Sequence, residues 1–373
     1  MNESVPGVLP AHGGQLRQLA GRYGVASELL LDFSANINPA GPPPSVLLAL
    51  RQALANPETL ITYPDLELTD LKQGIADCTK VHPQNVVVAN GFVPLLEAAL
   101  RSLNIEHCLL PVPAFSEYRK TLENGKVAVT PYQLSPATNF SYDPDAILQA
   151  LERNACDAIL LANPQNPSGV LCESKQMMRL IEITAERKIA LLLDEAFIDY
   201  DPTHSLTRCA VEHPHMIAFR SVTKFFAIPG LRVAYAVCNS AQAETMNRSI
   251  APWPITTFAS HAVCAALVDE GYAEESRMTN ERRRSWLEHQ LNQLRIGTFR
   301  SGANFLLLRF PARVDVNLLW EKMIVEQHIV LRSCMNYEGL EMGYLRVAVR
   351  SEQENERLIA GLKWALGEHV PGH

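Results

Sequence analysis

No stretch of this chain approaches the run of about 20 apolar residues that crosses a bilayer as a helix, so no spanning segment is expected. Positive charge is not in excess. The 33 lysines and arginines are outnumbered by 40 aspartates and glutamates, leaving a formal charge of -7. That balance argues against a general nucleic-acid or anionic-membrane partner, yet permits a local basic pocket for a small anion. None of the eight cysteines forms a C-x-x-C pair, which argues against a zinc site or a disulfide framework, and no metal is expected. Internal repeats and low-complexity tracts are absent. The opening Met1-Asn2-Glu3-Ser4-Val5-Pro6 lacks the basic start and apolar core of an export signal, so a cytoplasmic protein is expected.

What is present is an ordinary globular composition, 47% hydrophobic and 20% charged, over 373 residues. That length exceeds the roughly 100–200 residues of one domain. From about residue 83 to 237, apolar runs at 85–89, 107–110, 158–162, 189–193, 216–220 and 233–238 alternate with helical patterns such as 95–103 and 175–188. The alternation predicts an α/β fold, a mostly parallel central sheet with helices on both faces. Beyond it, a charged amphipathic helix at 275–294, strands at 305–309 and 345–349, and a last helix at 354–366 predict a smaller α+β domain. The expected division is an N-terminal segment 1–44 completing the small domain and the site, a large domain 45–265 and a small domain 266–373. The proline-rich residues 39–44 are the expected hinge.

In such sheets ligands bind beyond the carboxyl ends of the strands, and the candidate chemistry clusters there. Ser221-Val222-Thr223-Lys224 follows a strand. A lysine so placed is costly to bury as a cation, and forming a Schiff base with a carbonyl cofactor removes that cost. Ser221, Thr223 and Arg232, eight positions beyond the lysine, suit a dianionic phosphate ester. The strand Ala190-Leu191-Leu192-Leu193 ends in Asp194-Glu195. A carboxylate at Asp194 facing a pyridine nitrogen keeps that ring protonated and electron-withdrawing. Glu195 also fits a metal ligand or a helix cap. Asp194 precedes Lys224 by thirty residues (224 − 194), the length of one strand–helix–strand step. Asn163-Pro164-Gln165-Asn166-Pro167-Ser168-Gly169 is a rigid turn that presents Asn166. Asn90-Gly91-Phe92 opens a helix whose backbone N–H groups can cradle phosphate. Phe115 is either a core residue or a flat surface for a ring.

The ordered set of phosphate turn, aromatic, asparagine turn, strand-end aspartate, lysine and arginine resembles the fold-type I pyridoxal-phosphate enzymes over nearly the whole chain. Further segments narrow the likeness: Ala11-His12-Gly13-Gly14, Asp32-Phe33-Ser34-Ala35-Asn36-Ile37-Asn38-Pro39, Tyr63-Pro64-Asp65, Asp194-Glu195-Ala196-Phe197, Leu331-Arg332-Ser333-Cys334 and Arg346-Val347-Ala348-Val349-Arg350. Together they are similar to the L-threonine-O-3-phosphate decarboxylases of the cobalamin pathway, relatives of the histidinol-phosphate aminotransferases. Phe197 stands where the aminotransferases typically carry tyrosine.

This resemblance implies pyridoxal 5'-phosphate held by Lys224, with Asp194 on the ring nitrogen and Asn166 on the phenolic oxygen. It implies Ser221, Thr223, Arg232 and the Asn90-Gly91-Phe92 turn at the cofactor phosphate, and Phe115 at the ring. Tyr63 would reach that phosphate from a neighbouring subunit of a homodimer with shared sites. Arg346 would take the substrate carboxylate, and His12, Gly13, Asn36 and Arg332 its phosphate. The implied reaction is decarboxylation of threonine phosphate to 1-amino-2-propanol O-2-phosphate. The alternatives are transamination of a phosphorylated amine such as histidinol phosphate, or decarboxylation of serine phosphate. Two departures stand out. The acidic and hydroxyl residues usual after the phosphate turn are replaced by Phe92-Val93-Pro94, and the usual Arg-x-Gly-Tyr reads Arg232-Val233-Ala234-Tyr235.

Overall fold

A computed structural model describes residues 10, 12–340 and 342–367. Ala11 of the His-Gly-Gly segment lies outside the described residues, as do both ends of the expected domain division. Among the described residues, thirteen strands form three sheets. Strand β1 is Leu31–Asp32, β2 Val86–Ala89, β3 His107–Val112, β4 Ala128–Gln133, β5 Ala158–Ala162, β6 Ala190–Asp194, β7 Met216–Ser221 and β8 Ala234–Val237. The remainder are β9 Gly297–Thr298, β10 Phe305–Arg309, β11 Ile329–Val330, β12 Arg332–Ser333 and β13 Tyr344–Ala348.

The large sheet runs β2-β8-β7-β6-β5-β3-β4. Its pairs are parallel from β7 through β6, β5 and β3 to β4, whereas β8 is antiparallel to both neighbours. Alternation along the strands explains why both faces are covered. Leu192, Leu160, Leu110 and Phe219 face one way, onto helices Phe92–Ser102 and Ser116–Asn124. Leu191, Leu193, Ile159 and Leu161 face the other, onto Pro144–Arg153 and Ser174–Arg187. A leucine fully buried in this way contributes about 1.5–3 kcal/mol. Continuous apolar runs such as Leu191-Leu192-Leu193 therefore belong in a two-sided parallel sheet rather than an exposed one.

The second sheet, β12-β13-β10-β9, is antiparallel. It packs with helices Glu270–Gln293, Val316–Val325 and Glu352–Ala365 around Leu287, Leu306, Met323 and Leu358. The N-terminal residues join this part of the molecule: β1 pairs in parallel with β11, and Ala348 N–H donates to Phe33 O at 2.9 Å. Asn38 ties it to the rest, its Nδ2 donating to Phe225 O at 3.0 Å and to Ser276 Oγ at 2.9 Å.

Two features depart from the sequence reading. Strand β4 has no apolar run, because it is the edge strand of the sheet and is half-exposed. The connection from β6 to β7 holds no regular helix, only 3-10 turns at Ile198–Tyr200 and Pro202–His204 and one helical turn at Cys209–Glu212. Glu195 explains it. Its fully buried carboxylate accepts from Ser205 Oγ at 2.6 Å, Leu206 N at 2.6 Å and Thr207 Oγ1 at 2.7 Å, pinning the segment by side-chain bonds. Glu195 is thus neither a metal ligand nor a helix cap, and no metal-holding cluster exists among the described residues.

Candidate active site

Every catalytic candidate of the large sheet lies at one edge of it. Asp194 ends β6, the Asn166 turn follows β5, Phe115 follows β3, and Ser221-Val222-Thr223-Lys224 closes β7. Arg232 precedes the antiparallel β8, which brings it to the same edge as the carboxyl ends of the others. A cavity of about 210 Å³ opens there. Lys224, Asp194, Asn166 and Ser221 line it on the sheet side with Phe92 and Phe115, and His12, Gly13, Asn36, Arg332 and Arg346 line it from the N-terminal segment and the small sheet. Asn90, Gly91, Thr223 and Arg232 lie outside this lining.

Lys224 Nζ lies 3.2 Å from Ser221 Oγ and 5.9 Å from the centre of the Phe197 ring. Its backbone carbonyl accepts from Asn38 N at 3.0 Å, which fixes the lysine to the N-terminal segment. Burial lowers the ammonium below the usual lysine range, Asp194 opposes that shift, and Arg232 adds to it. A lysine so depressed is a better nucleophile and proton carrier near neutral pH. Ser221 Oγ and Thr223 Oγ1 are 2.8 Å apart. At the adjacent turn Gly91 has φ +97°, and a Cβ built there would meet Arg232 Nη2 at 2.9 Å. The backbone angle favours glycine, and a side chain there would displace the Arg232 guanidinium.

Asp194 is buried at the strand end. Its Oδ2 accepts from Tyr118 Oη at 2.5 Å and its Oδ1 from Ala196 N at 2.9 Å. Burial raises this carboxyl above the ordinary aspartate range, against the opposing effects of the Tyr118 hydrogen bond, the Lys224 charge and the Ala196 N–H. A raised folded-state value means that the protonated form folds more favourably. The associated stability is present below the unfolded value and is lost as pH rises through the folded one. Asp194→Asn is therefore expected to raise the Tm of the cofactor-free protein, more at a pH well above the ordinary aspartate range than at a pH below it. Thermal unfolding at the two pH values checks it, and a uniform fall in Tm would contradict it.

Across the cavity, Arg346 Nη1 donates to Asn166 Oδ1 at 2.6 Å and to Tyr337 Oη at 3.1 Å, and Nη2 to Ser34 O at 3.3 Å. This engages the Asn166 oxygen and leaves its amide N–H groups to donate. Arg332, 4% exposed, donates to Pro10 O at 2.8 Å and Asn336 Oδ1 at 3.0 Å, over the Tyr337 ring. His12 Nε2 lies 3.1 Å from Glu117 Oε1. Asn36, 6% exposed, has an Oδ1 without a hydrogen-bond partner among the described residues. A Cβ on Gly13 would meet Ser34 O at 2.1 Å, so only glycine brings the chain this close.

The sequence reading assigned no role to Tyr118, Tyr337 or Ser34. Tyr118 lies one helical turn beyond Phe115, and that spacing was a usable signal. Tyr63 is not brought to the cavity. It is 80% exposed and stacks on Trp253 with ring centres 4.6 Å apart.

The model of the family described as aminotransferase class I and II matches residues 29–362. The chain belongs to that family. Threonine-phosphate decarboxylase of Salmonella typhimurium, a curated relative, is 35% identical over 97% of this chain and 98% of its own length. The crystal structure of the histidinol-phosphate aminotransferase from Clostridium acetobutylicum superposes with a TM-score of 0.83 at 29% identity, covering 91% of this chain and all of that one. That of histidinol-phosphate aminotransferase from Sinorhizobium meliloti, in complex with pyridoxal-5'-phosphate, gives 0.82 at 21% identity, covering 95% of this chain and 97% of that one. The aminotransferase fold therefore carries this cavity, and family membership makes the chain an enzyme of the pyridoxal-phosphate class.

Proposed function

We propose that this enzyme decarboxylates L-threonine O-3-phosphate with pyridoxal 5'-phosphate bound at Lys224, as a cytoplasmic homodimer of the cobalamin pathway. The observation that carries this reading is the convergence of two buried arginines, Arg332 and Arg346, on the cavity that holds Lys224. A small substrate with a carboxylate and a phosphate requires two such anion sites.

The residues fit the cofactor. Asp194 is a buried carboxylate raised by desolvation, and a protonated ring nitrogen supplies the opposite charge that such a site lacks. Asn166 keeps its amide donors for the phenolic oxygen, Ser221, Thr223 and Arg232 would hold the phosphate with the Gly91 turn, and Phe115 would flank the ring. Phe92-Val93-Pro94 offers no side-chain donor, so backbone N–H groups carry that share, at a cost of about 1 kcal/mol for the missing bond. When bound, the cofactor's ring accepts the electron pair released as the Cα–carboxylate bond breaks.

The protein's part follows from position. Arg346 would orient the carboxylate, while Arg332, His12, Asn36 and the Gly13 backbone would hold the phosphate on the far side. With both ends fixed, Cα stays over Lys224, whose Nζ returns a proton to that carbon. Phe197, its ring centre 5.9 Å from Lys224 Nζ, puts an apolar surface beside the amine and is backed by Phe305 at 4.9 Å. For oligomeric state, exposed Leu54, Leu60, Ile61, Tyr63 and Leu66 support a second copy docking on this face and lending Tyr63 to the neighbouring phosphate. The cysteines, all free, suit a reducing compartment.

A substrate screen tests the reading. Threonine phosphate is expected to release stoichiometric carbon dioxide, with serine phosphate slower and histidinol phosphate inert with 2-oxoglutarate. Glutamate formed from 2-oxoglutarate without carbon dioxide would transfer the enzyme to the aminotransferases.

A further inference from the structure

The Tyr118 hydroxyl is the shortest polar contact of Asp194, at 2.5 Å, and nothing in the substrate or cofactor reading requires a phenol there. Its ring is fixed by aromatic neighbours. Phe92 lies 5.4 Å away and Phe115 5.6 Å away edge-on, and Phe92 itself packs at 5.2 Å on Phe219 of β7. The phenol is almost fully buried, so its hydroxyl is confined to one direction. Ala196 N occupies Oδ1 and Tyr118 occupies Oδ2, and each carboxylate oxygen retains lone-pair capacity for one further donor.

We propose that Tyr118 is a positioning residue that keeps a proton on the bound cofactor's ring nitrogen by stabilising Asp194 as the carboxylate. The proposal rests on the reading that Asp194 faces that nitrogen. Two atoms compete for one proton: the ring nitrogen and the Asp194 oxygen. A low-dielectric strand end favours the neutral pair, with the proton on the carboxyl. A hydrogen bond from a neutral phenol is stronger to the carboxylate than to the neutral carboxyl, so it moves the proton towards nitrogen. Burial and the neighbouring Asp194 charge both raise the phenol, which keeps it neutral and donating. The Phe92 substitution, a departure from the family's usual phosphate turn, then has a local reason. It supplies an apolar surface against which Tyr118 is held on its target.

Tyr118→Phe retains the ring and removes only the hydroxyl. The holoenzyme variant, loaded with cofactor labelled with ¹⁵N in the ring, is expected to show the nitrogen resonance moving towards the neutral position. Turnover falls about ten- to hundredfold, the scale of one hydrogen bond to a charged group. Asp194→Asn separates the two readings. If Asp194→Asn shifts the nitrogen resonance but Tyr118→Phe leaves it unchanged, the Tyr118 role is overturned and the Asp194 reading stands. If neither variant moves it, Asp194 does not face the nitrogen. In the double variant the Tyr118→Phe effect is expected to vanish, whereas additive losses would mark a merely structural phenol. The unmutated holoenzyme provides a measurement that no folding defect can obscure. Its ring nitrogen is expected to be protonated at pH 7.5, and a neutral resonance there would overturn the proposal.

Discussion

Lys224→Ala is expected to cut carbon dioxide release from threonine phosphate by about 10³-fold or more. On the proposed reading the residue is both covalent anchor and proton carrier, and positioned acid–base groups alone contribute about 10²–10⁴-fold. The geometry leaves no substitute. The nearest hydroxyl, Ser221 Oγ at 3.2 Å, is already engaged with Thr223 Oγ1, and among the described residues no other lysine lines the cavity. Borohydride reduction of the holoenzyme, followed by peptide mass analysis, is expected to place the cofactor mass on the peptide containing Lys224 and nowhere in the variant. Retention of about a tenth of the activity would exceed what the remaining groups supply on these magnitudes and would contradict the assignment.

Arg332→Ala carries the second large effect. This guanidinium is buried, and truncating one partner of a buried charge pair costs about 2–5 kcal/mol. At about 1.4 kcal/mol per factor of ten, the KM for threonine phosphate is expected to rise roughly 30- to 4000-fold. On the proposed reading the cofactor phosphate is held by the Gly91 turn, Ser221 and Arg232 rather than by Arg332, so the cofactor Kd should change by less than about threefold. Titrating cofactor into the variant and measuring its kinetics separates the two. Equal losses would mean that Arg332 serves the cofactor's anion rather than the substrate's.

Much of this site was legible in the sequence for a definite reason. Asp194, Asn166, Ser221, Lys224 and Arg232 each lie next to a strand whose apolar run is visible, and parallel strands deliver their carboxyl ends to one edge. Position in the chain therefore implied position in space. The groups that hold these residues in place were not legible. Arg346 and Asn166 are 180 residues apart yet bonded, and the His12–Glu117 pair joins the N-terminal segment to a helix of the large sheet. Such pairings depend on how two sheets pack, which periodicity does not encode. Tyr118 was hidden for another reason. An aromatic on a buried helix face reads as core, and its hydroxyl matters only because Asp194 lies in reach. The irregular β6–β7 connection was hidden likewise, because Glu195 replaces a helix with side-chain bonds to Ser205, Leu206 and Thr207.

Family membership alone leaves open which bond at Cα breaks, since the same lysine serves decarboxylation and transamination. Counting hydrogens at that carbon decides it. With threonine phosphate in D₂O, the product is expected to retain the original Cα hydrogen and to gain one deuterium where carbon dioxide left. Loss of the original hydrogen with the carboxylate retained would contradict the account.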